Sequence, residues 1–115
     1  MKLNAFLVAI ILSSCAVVGH TKVATCQIDE QGKTTFKGKC NFRAVEGGSF
    51  DLSNLNQNRP LFRDTMNVNV WLTEKNVAEV SGSRKGGFNS RWGTAQRSTQ
   101  QKACWVGSDF KVCAW

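Results

Sequence analysis

The sequence predicts an all-β domain, a small antiparallel β-barrel of about seven to eight short strands that disulfide bonds stabilise. Apolar residues mostly alternate with polar ones, as at Val68, Val70 and Leu72, and a period of two is the pattern of a half-buried strand. Turn signals rich in Gly, Asn or Asp separate the alternating segments at short intervals. No window of about 10 to 12 residues favours a helix.

The predicted strands follow one another closely along the chain. Phe36, Gly38, Cys40 and Phe42 fall on one face of the second strand, and the only proline lies in a long loop predicted for residues 53–65. The segments predicted as strands are residues 26–28, 36–42, 49–52, 66–72, 77–80, 90–97, 103–106 and 110–114.

The first 20 residues are predicted to be an export signal that is not part of the fold. A short basic start precedes an apolar run over residues 5–18, which is too short to span a bilayer comfortably. Residues 21–115 then form one domain. In the alternative, residues 12–15 form a lipobox and Cys15 carries a lipid anchor. We therefore expect the mature N-terminus between Cys15 and Thr21.

The cysteine content supports export. The chain has five cysteines, and removing or lipidating Cys15 leaves four. Four cysteines in a small exported domain indicate two disulfide bonds in an oxidising compartment. The expected location is the periplasm, or for an anchored form the outer membrane with the domain facing the periplasm.

Four cysteines allow three pairings, which spacing alone does not decide. If residues 107–110 form a four-residue loop, Cys104 lies directly across from Cys113, at a distance that suits a disulfide. We therefore predict a Cys104–Cys113 bond with Cys26–Cys40 as the second bond. A two-residue turn would instead place Cys104 opposite Lys111. In the competing pairing pattern, Cys26 and Cys40 would bond to Cys104 and Cys113.

The formal net charge of +7 predicts anionic partners. Anionic polymers, anionic membrane surfaces and an acidic protein cleft all fit, whereas an exported protein rarely meets nucleic acid, so no nucleic-acid partner is expected. Residues 80–105 contain no carboxylate and five cations, which makes this stretch the first candidate for a binding surface. The cations are Arg84, Lys85, Arg91, Arg97 and Lys102.

An enzyme is hard to build from this chain, because general acid–base catalysis usually recruits His or a pair of carboxylates in a cleft. His20, at the end of the predicted signal, is the only histidine, and most carboxylates lie in turns or beside cations. Neither zinc-ligand spacing nor a phosphate-binding loop is found. We expect no catalytic activity, no metal and no cofactor.

A binding loop is predicted at residues 81–85, where a strand gives way to Gly86-Gly87. This loop would present hydroxyl groups, backbone groups and two cations from Ser81, Gly82, Ser83, Arg84 and Lys85. The alternative is a solvated hairpin loop without a partner. The four tryptophans are expected to pack mostly in the core or at the barrel rim, with Trp92 the best candidate for partial exposure.

Three features of the sequence occur together: an exported small β domain, a Ser-Gly loop after Ala78-Glu79-Val80, and a C-terminal strand pair rich in Trp and Cys. This combination resembles the bacterial periplasmic and membrane-bound inhibitors of c-type lysozyme. In that family a loop with a Ser-Gly-x-x-Tyr motif, carried by a small antiparallel β-barrel, enters the lysozyme cleft and meets two catalytic carboxyl groups. The Ser-Gly of this motif is present here, but its Tyr is absent. The family's second motif, a Tyr before Thr-Lys-Gly, is also absent as such, and residues 92–102 occupy a comparable place.

The resemblance implies that c-type lysozyme is the partner and that residues 81–85 enter its cleft. Ser81 and Ser83 would then donate hydroxyl protons, and Lys85 or Lys102 would supply a charge, to the two carboxyl groups. The residues expected to support the loop or make a second contact are Arg91, Trp92, Arg97 and Lys102. Lysozymes of this type are usually basic, so long-range repulsion opposes this partner while local contacts favour it.

Two other functions compete with this hypothesis. A cell-envelope module would bind lipopolysaccharide, peptidoglycan or anionic phospholipid through a basic face, which the cations of residues 80–105 would fit equally well. An assembly subunit is the third hypothesis, favoured if the domain forms a stable homodimer. Salt dependence separates the first two, because binding to a polyanion through five cations weakens steeply as salt is added.

Overall fold

The computed structural model describes residues 20–115, so the predicted signal up to residue 19, Cys15 included, lies outside the described residues. These residues form a closed antiparallel barrel in which each strand pairs with the next and the last pairs with the first. This confirms the predicted fold class. The strands are β1 (Thr21–Glu30), β2 (Lys33–Ala44), β3 (Phe50–Ser53), β4 (Thr65–Glu74), β5 (Val77–Arg84), β6 (Asn89–Arg97), β7 (Cys104–Val106) and β8 (Phe110–Ala114).

The barrel has two ends, which are named here by their connections. The entry end is where β1 begins, and it carries the turns at residues 45–49, 75–76 and 98–103. The distal end carries the turns at residues 31–32, 85–88 and 107–109 and the long loop of residues 54–64. Two of these turns are single 3-10 turns, Glu46–Gly48 at the entry end and Lys85–Gly87 at the distal end. In residues 20–115 no helix is long and apolar enough to cross a membrane.

Alternate residues of each strand point into the barrel and form one core. Val68, Val70 and Val80 are among the fully buried side chains, and they pack with Ile28 and Val112 from the two ends of the chain. On β4 the two residues on either side of Val68, Asn67 and Asn69, are only partly buried. The period of two that predicted the strands is therefore the division between the interior and the surface of the barrel.

Both predicted disulfide bonds are confirmed. Cys104 lies directly opposite Cys113 on the neighbouring strand, with the two Cα atoms 4.0 Å apart. The loop between them closes as predicted, with the amide of Gly107 donating to the carbonyl of Phe110. Cys26 pairs with Cys40, the two Cα atoms being 5.9 Å apart, and this bond belongs to the core.

β1 is longer than the sequence indicated. The alternation predicted a strand around residues 26–28, whereas β1 begins at Thr21 and pairs with β2 along its whole length. In its first half Ala24 points inward, while Val23 points to solvent and is 58% exposed. Because an outward valine and an inward alanine blur the alternation, the first half gives no clear strand signal.

Asp29 joins β1 to both of its neighbours on the outside of the barrel. Its carboxylate accepts hydrogen bonds from Gln27 Nε2 at 3.1 Å and from Thr34 Oγ1 at 2.8 Å, and it lies 3.5 Å from Lys111 Nζ on β8. Burial raises the pKa of Asp29, but these hydrogen bonds and the charge of Lys111 together outweigh it, so the pKa lies below its ordinary value of 3.8.

We predict that Asp29 stabilises the fold at neutral pH and loses this contribution in acid. A carboxyl group with a lowered pKa in the folded state contributes fully above its unfolded value and loses the contribution as the pH falls through the folded value. Asp29→Asn should therefore lower the free energy of unfolding at pH 7, and the difference from wild type should shrink towards pH 2. Urea unfolding across this pH range measures both effects. Asp109→Asn, at an exposed turn carboxylate, is the control, and equal behaviour of the two variants would contradict the assignment.

Candidate functional site

The segment predicted as a binding loop is mostly a strand. Residues 81–84 form the last part of β5, and only Lys85 enters the turn that follows. The prediction of a protruding loop beginning at Ser81 is therefore wrong. Gly82 points inward and is buried, while Ser81 and Ser83 point outward, so the alternation of β5 continues through them. Small residues on both faces hide this alternation from a reading of apolar residues.

The protruding part is the hairpin tip, defined as residues 85–88, which joins β5 to β6 at the distal end. The amide of Arg84 donates to the carbonyl of Phe88 across the base of the tip. The amide of Lys85 donates to the backbone carbonyl of Asp64 in the long loop. Gly86 and Gly87 have φ values of 85° and 87°, which favour glycine. Phe88 is 70% exposed, so the tip presents an aromatic ring and a cation on a well-supported turn.

The charges of residues 80–105 are partly neutralised by acids from elsewhere in the chain. Arg84 lies 3.5 Å from Asp64 of the long loop, and Arg91 lies 3.4 Å from Glu79 across the β5–β6 pair. Lys85, Arg97 and Lys102 form no ion pair with any carboxylate of residues 20–115. The acid-free stretch of sequence is therefore not a uniformly basic surface.

The structure separates the expected contact residues into two groups. Lys85 lies at the distal end, whereas Arg97 ends β6 and Lys102 follows in the next turn, both at the entry end. The nine residues of β6 span roughly 25 Å at the usual rise of a strand. Lys85 and Lys102 therefore cannot both meet one pair of carboxyl groups, so at most one of these two alternatives can supply the charge.

Trp92 lies in a bulge of β6 and fills the distal mouth of the barrel. The β5–β6 register shifts at this point, and Gly93 follows with a φ of 120°. The ring of Trp92 packs edge-on against Phe62 and Phe110, with ring centroids 6.2 and 5.6 Å apart. Trp92 is half-buried, so it supports the distal end from inside.

The most exposed tryptophans are two others. Trp71 and Trp115 are 58% and 57% exposed, while Trp105 is buried. Trp92 is partly exposed, as predicted, but it is not the most exposed tryptophan of residues 20–115. Its ring turns inward because Gly93 belongs to a bulge and not to a surface loop.

A cleft opens beside the hairpin tip, where the sheet is incomplete. Within residues 20–115, β6 pairs with β7 at Gln96 and Arg97 alone, so the rest of that edge borders a cavity of about 480 Å³. Its walls carry aromatic and charged side chains of both signs, including Trp92, Phe110, Glu30, Lys33, Arg91 and Asp109. Because cations and carboxylates both line it, the cleft has no strong preference for anions.

The fold and the tip define a class of protein: a disulfide-bonded, eight-stranded antiparallel barrel with an exposed turn that carries a phenylalanine and a lysine without an ion-pair partner in residues 20–115. No family model matches the chain, and no curated protein or solved structure matches it significantly. Over the part of the chain that the structure describes, no group of three or more His, Cys, Asp or Glu side chains is placed to hold a metal ion.

We predict that Gly82→Ala destabilises the barrel by about 1–3 kcal/mol, the usual cost of overpacking. A Cβ at this position would lie 3.2 Å from Trp92 Nε1 and 3.3 Å from Thr65 Cγ2, and Trp92 is held by Phe62 and Phe110. Chemical unfolding measures the loss. Gly38→Ala is the matched control in β2, because its nearest neighbour would be 3.7 Å away, and it should be neutral or stabilising. Equal stability of the two variants would contradict the packing of Trp92 over Gly82.

Proposed function

We propose that the protein is an exported inhibitor of c-type lysozyme and that the hairpin tip is the part that enters the lysozyme cleft. The observation that carries this proposal is the tip itself. It combines a lysine without a carboxylate partner in residues 20–115 and a phenylalanine that is 70% exposed, on a turn braced by two strands and the long loop. Rigid loops that expose an aromatic ring and a cation are typical of binding sites.

The fold is consistent with the proposal. The resemblance to the lysozyme inhibitors implies a small antiparallel barrel, and the chain forms a closed barrel of this kind. The two disulfide bonds are of the kind found in exported proteins and suit the periplasm or another oxidising compartment. The barrel and the disulfide bonds support a small exported inhibitor of this type, whereas the choice of lysozyme as the partner depends on the chemistry of the tip.

The tip suits a narrow cleft that contains carboxyl groups. A glycosidase cleft holds two of them, and a cation brought into such a low-dielectric site gains more than it would in water. Gly86 and Gly87 have no side chains to obstruct a close approach, although the Phe88 ring packs beside Gly86. Lys85 is therefore the residue proposed to meet the carboxyl groups, with Phe88 packing against the apolar part of the cleft.

The two serines of the motif differ in their positions. Ser83 lies next to the tip, where its Oγ accepts a hydrogen bond from Asn69 Nδ2 at 3.0 Å and still has its own proton to donate. Ser81 lies two residues further from the tip, on the outer face of β5 opposite Arg91. We therefore assign a supporting contact to Ser83 and none to Ser81. Arg97 and Lys102 lie at the entry end and have no part in this site.

We predict that Lys85→Ala weakens inhibition about thirtyfold, which corresponds to a loss of roughly 2 kcal/mol of the kind found at interface hot spots. Inhibition of cell-wall lysis by a purified c-type lysozyme measures this effect, with folding checked by circular dichroism. Lys102→Ala and Ser81→Ala are the controls and should inhibit like wild type. If wild type leaves lysozyme fully active at micromolar concentration, the proposed function is wrong. If Lys102→Ala weakens inhibition and Lys85→Ala does not, the choice of tip is wrong.

We predict a salt dependence opposite to that of a polyanion binder. Both partners carry net positive charge, so added salt screens a repulsion and the association rate constant should rise between low and physiological ionic strength. Stopped-flow or biosensor kinetics at several sodium chloride concentrations measure this. A steep loss of binding with salt would instead favour the envelope module that holds anionic glycans or lipids through a basic face.

A further inference from the structure

A pocket of about 260 Å³ opens at the entry end of the barrel, and it shares no residue with the hairpin tip. The last inward-facing residues of several strands form its walls, which are mainly apolar and aromatic. These are Phe42, Phe50, Leu72, Trp105 and Ala114. Arg97 and Lys102 line the same pocket, and no carboxylate does. The pocket therefore joins an apolar interior to cationic groups.

Arg97, one of the two cations, is held in place by the barrel wall. The Arg97 guanidinium lies 5.5 Å from the centre of the Trp105 ring, and Arg97 Nε donates to the backbone carbonyl of Lys102 at 2.9 Å. A third cation stands nearby, since Lys22 Nζ lies 5.6 Å from the centre of the Phe42 ring. In residues 20–115 none of the three forms an ion pair with a carboxylate. Glu46 and Glu74, the acids of the adjacent turns, do not line the pocket.

We propose that this pocket binds an anionic amphiphile with one acyl chain. The chain would lie against Phe42, Phe50, Leu72 and Trp105, and the anionic head would lie between Arg97 and Lys102. Two cations line the pocket, a third stands nearby and no carboxylate lines it, which favours a negative head, while the apolar walls favour a hydrocarbon chain. A volume near 260 Å³ is at the small end for a ligand pocket, which suits one slender chain better than a ring system or a two-chain lipid.

This site is independent of the proposed inhibition of lysozyme, because the pocket and the tip lie at opposite ends of the barrel. It gives a role to Arg97 and Lys102, the two cations of residues 80–105 that lie at the entry end and form no ion pair within residues 20–115. Each site can therefore be altered while the other is left intact.

Octyl phosphate below its micelle concentration is the test ligand, with octyl glucoside and inorganic phosphate as matched controls for the chain and for the head. We expect octyl phosphate to bind one to one by calorimetry and to shift the indole NMR signal of Trp105. Both controls should bind far more weakly. Arg97→Gln and Lys102→Gln should each weaken binding of octyl phosphate about tenfold, the effect of losing one charged hydrogen-bond donor. Lys85→Gln, at the distal end, should bind octyl phosphate like wild type.

Ala114→Phe fills the pocket and leaves every cation in place, so it should abolish binding of octyl phosphate. If this variant does not fold, the two glutamine variants decide the question. Equal binding of octyl glucoside or of inorganic phosphate would overturn the proposal, as would unchanged binding by both glutamine variants. Binding to phosphatidylglycerol vesicles without binding to octyl phosphate would also overturn it, because a membrane surface and not the pocket would then be the site.

Discussion

The position of β1 between β2 and β8 is the constraint on which the rest of the structure depends. β1 pairs with β2 along its whole length, and its second half also pairs with β8, from Cys26 opposite Ala114 to Glu30 opposite Phe110. This second ladder joins the first described strand to the last and closes the sheet, which removes the open edges of a flat sheet except where β6 borders the cleft before Gln96. The Cys26–Cys40 bond ties β1 to β2 in the core, and Asp29 bridges to Lys111 on the surface.

Much of the fold could be predicted because its signal is local. The alternation around Val68 and Val70 and the four-residue loop after Val106 fixed both the strands and the Cys104–Cys113 bond. The first half of β1 and the last part of β5 were not predicted, and both omissions have the same physical cause. At Val23 and Ala24, and again at Gly82 between two serines, the inward residue is small or the outward residue is apolar, so the period of two is present without a contrast in hydropathy. Only the neighbouring strands define these segments as β-structure.

The site was harder to predict than the fold, because carboxylates from outside a stretch of sequence can lie beside its cations in the structure. Residues 80–105 contain no carboxylate, yet Asp64 and Glu79 reach Arg84 and Arg91 from a loop and from the adjacent strand. The same stretch includes β6, which carries the chain from one end of the barrel to the other. A cluster of cations in the sequence is therefore two groups in the structure, a division that the strand predicted for residues 90–97 already implied.

Because its cations form two groups, this small basic barrel has two separate surfaces, one at each end. Antiparallel strands without crossovers send successive turns to opposite ends, so the turn after β5 and the turn after β6 cannot both enter one cleft of a partner. At the distal end Trp92 fills the mouth, and a tip with Lys85 and Phe88 projects beyond it. At the entry end the mouth remains partly open, and Arg97 lies against Trp105 at its margin. The distal end thus presents an exposed turn with a cation and an aromatic ring, and the entry end presents an open pocket with cations beside it.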